Sequence, residues 1–193
     1  MSLPGLPFDG EHIIDSSAAL SLPSVPKVLG VIGAGVVGLE LGSVWRRLGA
    51  KVTILEATEN LLPAADLQIA REALRQFKKQ NLNIQLDCRV TGATAMNNGC
   101  EVIYIQGEHE LKLTVDKLVV AIGRQPNTDD LFDPATGLTL DSRGFIEVDE
   151  NCLTGEHNVW AIGDSVRGPM LAHKASEEGV AVAEQIATGS RPR

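Results

Sequence analysis

The chain has 193 residues, 44% hydrophobic and 22% charged, with a formal net charge of -8; that is enough for one large domain or two small ones with a real core. The acidic balance excludes an electrostatic nucleic-acid binder, because Arg46-Arg47 and Lys78-Lys79 are isolated basic pairs. No apolar run reaches membrane-spanning length, and Cys88, Cys100 and Cys152 form neither a CxxC pair nor a metal-ligand spacing with the four histidines, so no metal site is expected.

Residues 1–26, with Pro4, Pro7, Pro23 and Pro26, read as a connecting segment with one short apolar element at Ile13-Ile14. KVLGVI at 27–32 is a buried strand running into glycines. The spacing of Val37, Leu41, Val44 and Leu48 predicts a helix over 36–48 with those residues on its inner face, ended by Gly49. A strand is expected at 52–55. An amphipathic helix follows over 66–80, with Leu67, Ala70, Leu74 and Phe77 inward, and then a strand at 83–86.

The period then drops to near two. Strands at 90–96, 101–106 and 111–114, with a turn at Asn97-Asn98-Gly99, predict an antiparallel meander inserted in an α/β unit. KLVVAI at 117–122 is again a buried strand. Residues 124–144 read as loop, 145–148 and 159–162 as strands, and 172–187 as the last helix.

Gly33-Ala34-Gly35-Val36-Val37-Gly38 is a GxGxxG element, weak alone but placed here between a strand and a helix, with a second strand ending in Glu56. Each part has a task. Gly33 permits a tight turn, Gly35 lets backbone approach a pyrophosphate, and Gly38 lets the helix pack on the strand. The amides that open the helix, at Val36 and Val37, can face the phosphates. Glu56 stands where an acid accepts a ribose 2′-hydroxyl and repels a 2′-phosphate, and 57–62 offers no cation to reverse that, so NAD is favoured over NADP. Glu40, expected in the first helical turn, either complements the helix dipole or faces the nicotinamide end of the cofactor.

The tail, VWAIGDSVRGPMLAHKASEEG at 159–179, repeats this logic: Asp164 at a strand tip suits polyol hydroxyls, and Met170-Leu171-Ala172-His173 enters a helix whose amides can face an electron-rich ring. GAGVVGLELGSVWRRLGAKVTILEA, LVVAIGRQPNT and this tail together resemble the dihydrolipoamide dehydrogenases, a family of flavoprotein disulfide reductases, along nearly the whole chain. The resemblance implies that Gly33, Gly35 and Gly38 hold the NAD pyrophosphate. It places Glu56 on the adenosine ribose, Glu40 near the nicotinamide, and Ala121-Ile122-Gly123 beside the NAD site. Asp164 would bind the FAD ribitol, and Met170–His173 would lie along the flavin, His173 through its backbone. Lys174, Glu177 and Glu178 are expected to be solvated or interface charges.

The fold so implied is α/β: a Rossmann-like NAD-binding domain at 27–144, with a central parallel sheet, helices on its faces and the inserted meander. It is preceded by a connecting segment at 1–26 and followed by a returning, incomplete FAD-domain segment at 145–193. The family's redox disulfide is a CxxxxC, which does not occur here, so no catalytic residue is expected in this chain. The resemblance further implies a homodimeric parent enzyme that oxidises dihydrolipoamide on the lipoyl domains of 2-oxo-acid dehydrogenase complexes and passes electrons through FAD to NAD. The parent would be cytoplasmic in a bacterium, or in the mitochondrial matrix, with no nucleic-acid or membrane partner. The piece itself is expected to bind NAD only. Alternatives are another FAD/NAD(P) disulfide reductase, a soluble transhydrogenase, or a non-catalytic dinucleotide-binding module.

Overall fold

The computed structural model of the chain describes residues 1–189, so the last four residues of the expected 145–193 segment lie outside the described ones. The chain divides into two compact units, Met1–Gly123 and the residues from Arg124 onward. Residues 1–26 lie in the first unit.

The first unit begins with β1 (Ile13–Ile14) and α1 (Ser16–Leu20), then β2 (Val28–Ile32), α2 (Val36–Arg47), β3 (Lys51–Leu55), α3 (Leu67–Lys79) and β4 (Asn83–Gln85). β5 (Cys88–Met96), β6 (Gly99–Gln106) and β7 (His109–Val115) form the antiparallel meander, and β8 (Lys117–Val120) returns to the main sheet. That sheet is parallel, in the order β1-β8-β2-β3-β4. The segment that reads as a connector therefore supplies an edge strand: Ile13 and Ile14 pair with Leu118 and Val119.

The central strands are apolar at nearly every position because both faces are covered. Leu29, Val31, Val52, Ile54 and Val119 point to one core, shared with Leu39, Leu41 and Trp45 of α2 and with α3. Ile32, Leu55, Leu118 and Val120 point to a second core, completed by Val102, Tyr104 and Val115 of the meander. Helices thus cover one face and the meander the other. Each fully buried Leu, Val or Ile contributes ~1.5–3 kcal/mol.

Both long helices of this unit differ from their expected faces. In α2 the buried residues are Gly38, Leu39, Leu41, Gly42 and Trp45, while Val37, Val44 and Leu48 stay exposed. Gly38 and Gly42 let that face lie against the sheet: a Cβ at Gly42 would come 2.9 Å from Ile54 Cδ1. A face carrying two glycines packs closer than the face with the larger side chains, which the apolar spacing alone does not reveal. In α3, Ala70 is buried and Ala73, Leu74 and Phe77 partly so, but Leu67 is exposed. Asp66 caps α3 by accepting the Gln68 N–H at 2.8 Å.

The meander strands run longer than expected. Gly99 is not in the turn but opens β6, pairing with Met96, and its bare Cα lies against the Val115 carbonyl, where a Cβ would overlap.

In the second unit the strands expected at 145–148 and 159–162 are not formed. Ile146 makes single bridges to Leu140 and Val166, and Trp160 one to Leu153. A strand needs a ladder, and among the described residues the main-chain bonds of these segments, such as Ile146 N–H to Ser165 O and Ala161 N–H to Cys152 O, stop at isolated bridges. Gly163–Ser165 is a short 3-10 turn, so Asp164 sits on that turn and not at a strand tip. α4 (Ala172–Thr188) closes the unit and buries no residue.

Candidate functional site

The site of the first unit lies at the C-terminal ends of β2, β3 and β8. Chain order reverses there, β3 following β2 on one side and β8 flanking it on the other, and such a switch point leaves a crevice in a parallel sheet. Gly33 leaves β2 at φ +102, its N–H bound to Leu55 O at 2.8 Å. A Cβ on Gly33 would come 2.5 Å from Ala121 O, and one on Gly38 would overlap Gly33 O. Gly35 has nothing within 4 Å of the same position. Two glycines are thus required by the fold, and the third guards open space in front of α2.

Gly35 is the N-cap residue of α2 and makes no side-chain cap. The helix therefore begins at Val36 and Val37, both exposed, with its positive end directed to solvent. Glu40 is exposed and is not in the first turn, since helix numbering starts at Val36. Dipole complementation fades within one turn, so that role is removed.

Glu56 is half-buried and already committed. Its Oε2 accepts the Ala34 N–H at 2.7 Å, and its Oε1 accepts the Thr58 N–H at 2.9 Å and the Thr58 hydroxyl at 2.8 Å. Its main chain is fixed as well, N–H to Gln85 O at 2.9 Å and O from Cys88 N–H at 2.8 Å. Of the roughly four acceptor positions of a carboxylate, about one on Oε2 is left for a ligand, and a second on Oε1 when the Thr58 hydroxyl turns its single proton to Asn60 O, also 2.8 Å away. Ala121, Ile122 and Gly123 lie just beyond β8, which ends at Val120; Ala121 N–H bonds Ile32 O at 2.8 Å, and Ile122 and Gly123 are exposed. Contacts thus join Gly33 to Ala121 and Ile122, Gly38 to Gly33, and Glu56 to Ala34, with Gly35, Val36, Val37 and Gly123 adjoining them in the chain.

Ala34, Thr58 and Leu62 are the partners that sequence reasoning missed. Leu62 N–H bonds Ala34 O at 3.2 Å, closing the loop after Glu56 onto the glycine turn. Three of these contacts, from the N–H groups of Ala34, Thr58 and Leu62, are made by backbone groups, which leave no mark in side-chain chemistry.

In the second unit Asp164 pairs with Arg124, Nη2 to Oδ2 at 2.8 Å. The carboxylate is thereby oriented and partly exposed. α4 begins after Leu171 without a side-chain cap, so its first amides are available beside Met170, Leu171, Ala172 and His173. Lys174 and Glu178 are not solvated charges: both hold Gly163, and their side chains are only 16% and 23% exposed.

Burial raises the Cys88 thiol and pushes Cys100 up to about 11, so neither is a thiolate near neutral pH. Among the described residues no cluster of His, Cys, Asp or Glu could hold a metal ion, and no helix is long and apolar enough to cross a membrane.

The sequence profile of the family described as pyridine nucleotide-disulphide oxidoreductase matches residues 1–179. The chain is 55% identical over 191 residues to the dihydrolipoyl dehydrogenase of Cupriavidus necator, covering 98% of the chain and 40% of that protein. It is 44% identical to the mitochondrial dihydrolipoyl dehydrogenase of Canis lupus familiaris, covering 98% and 38% respectively. Among solved structures, the HOCl-induced flavoprotein disulfide reductase RclA from Escherichia coli, as its Cu(II) complex, superposes with a TM-score of 0.87 at 31% identity. That match covers 99% of this chain and 43% of the other. LpdA from Mycobacterium tuberculosis gives 0.87 at 26% identity, covering 100% and 42%. The chain thus spans about 40% of the length of the curated relatives it matches.

Proposed function

The chain belongs to the pyridine nucleotide-disulphide oxidoreductase family, and on that premise we propose that its first unit is an NAD site and its second unit one side of an FAD site. The observation that carries the reading is the glycine loop. Two glycines are locked by backbone neighbours, while the middle one faces open space at an uncapped helix N-terminus. A pyrophosphate fits that opening. Its charge would lie at the positive end of α2, and the amides of Val36 and Val37 would donate to it. Glu56, held by Ala34 and Thr58, would accept one ribose hydroxyl on Oε2 and repel a 2′-phosphate. Ala121–Gly123 would line the crevice beside it, and Glu40, on the exposed side of α2, would stand toward the nicotinamide.

In the second unit Asp164 would accept ribitol hydroxyls after release of part of its Arg124 pairing, and the first amides of α4 would face the flavin ring. The residues present therefore fit both groups. When bound, the two cofactors would supply a path for reducing equivalents from a dithiol to nicotinamide. The substrate in this reading is dihydrolipoamide carried by the lipoyl domains of 2-oxo-acid dehydrogenase complexes, and the enzyme is a homodimer of the bacterial cytoplasm or the mitochondrial matrix. Identity to the Cupriavidus protein, at 55%, favours this substrate over that of a more distant disulfide reductase. The 193 residues alone contain no CxxxxC, so in isolation they should bind NAD without turnover.

Titration of the chain with NADH and NADPH, by nicotinamide fluorescence or calorimetry, tests this. NADH should bind the more tightly. Glu56→Gln should shrink the NADH-over-NADPH preference by roughly tenfold, the scale of one charge-assisted hydrogen bond. Tighter binding of NADPH by the unaltered chain would sink the assignment of Glu56.

A further inference from the structure

Lys174 occupies the third position of α4, counting from Ala172. A cation there opposes the helix dipole, so the site must compensate it. Glu178, one turn on, does so: Lys174 Nζ lies 2.8 Å from Glu178 Oε1 and 3.0 Å from Oε2. Both groups then grip the same residue. Lys174 Nζ donates to Gly163 O at 3.2 Å, and Glu178 Oε2 accepts the Gly163 N–H at 2.8 Å. Gly163 is buried and has φ +71, and an added Cβ would come within 3.2 Å of Ala175 Cβ. A second glycine is shaped by the same lysine. At Gly168, φ +129, an added Cβ would come 2.5 Å from Lys174 Cε.

One side chain therefore links three pieces: the turn that carries Asp164, the Gly168-Pro169 bend that leads to Met170, and the start of α4. Among the described residues the unit gives them no β-ladder, α4 buries no residue, and the turn's main-chain tie to the rest of the unit is Ile146 N–H to Ser165 O at 2.9 Å. We propose that Lys174 and Glu178 are a positioning pair that sets the distance between Asp164 and the N-terminus of α4, and so the geometry with which the two grip a flavin. This rests on the flavin reading of 159–179. It assigns the pair no contact with the flavin; they act through Gly163 and Gly168.

The test uses flavin-loaded protein expressed from the natural reading frame that contains these residues. Lys174→Met keeps the aliphatic stem against Gly168 and removes the ammonium. FAD affinity, followed by release of flavin fluorescence, should fall roughly 10- to 100-fold, the range for losing a partly buried charged hydrogen bond. The visible flavin band should move toward that of free FAD, and NADH affinity should stay within about twofold, its site lying in the other unit. Glu178→Gln retains an acceptor for the Gly163 N–H and should show a smaller loss in the same direction; it carries the comparison alone if Lys174→Met does not fold. A lower melting temperature with unchanged FAD affinity and spectrum in these variants would reduce the pair to a structural role and overturn the proposal. Unaltered protein that carries no flavin would instead overturn the reading of 159–179 beneath it.

Discussion

The glycine loop after β2 and the glycine turn before α4 use the same parts: a glycine at positive φ, an acid, and an uncapped helix N-terminus. They differ in what holds them. Around Gly33 the supports are main-chain groups of β3 and β8 and the packed face of α2, embedded in two cores. Around Gly163 the supports are chiefly two side chains of one helix, with one main-chain bond from Ile146 N–H to Ser165 O, and the neighbouring segments make isolated bridges. A site framed by a sheet is fixed by the fold, whereas a site framed by side chains stays only as rigid as those side chains. The first unit carries its own frame, and the second carries functional groups with little frame.

Hydrogen exchange would measure that contrast most directly. Amides of β2, β3 and β8 should exchange about a thousandfold more slowly than those of 145–148 and 159–162, because ladder bonds inside a core open only with the whole unit. Equal protection in both units would mean that the second unit is framed as firmly as the first.

Gly38→Ala is the next largest effect. Its Cβ would overlap the Gly33 carbonyl, which cannot move without breaking the turn, so unfolding of the first unit should become easier by roughly 3 kcal/mol. The denaturant midpoint checks this, and an unchanged midpoint would mean that α2 can slide.

Gly35→Ala should separate binding from stability. Its methyl enters open space, so stability should be nearly unchanged, while NADH affinity drops about tenfold as the methyl meets the pyrophosphate. Loss of stability with NADH affinity intact would reverse the roles assigned to Gly35 and Gly38.

Most of the first unit was legible in the sequence because its signals are local. Apolar runs mark strands covered on both faces, glycines at a strand end mark a turn at positive φ, and Asp66 marks a helix start. The errors came where packing depends on distance between elements. The inner face of α2 is set by Gly38 and Gly42, not by its largest apolar residues, and β1 reads as a connector because two residues carry no period. In the second unit, Lys174 and Glu178 read as surface charges because an i, i+4 pair is usually solvated; only the chain path back to Gly163 makes them internal partners.

The βαβ unit, the chain positions of Gly33, Gly35, Gly38 and Glu56, and the family resemblance are legible in the sequence, since each rests on residue types at short spacing. The fold decided that Gly35 is the open position, that Glu56 is tied to Ala34 and Thr58, that Asp164 rides a turn gripped by Lys174 and Glu178, and that the segments expected as strands after Gly144 make isolated bridges in place of a ladder. The physical reason is common to all four. Each depends on which backbone groups, distant along the chain, come within hydrogen-bond or van der Waals reach, and a linear pattern does not specify that.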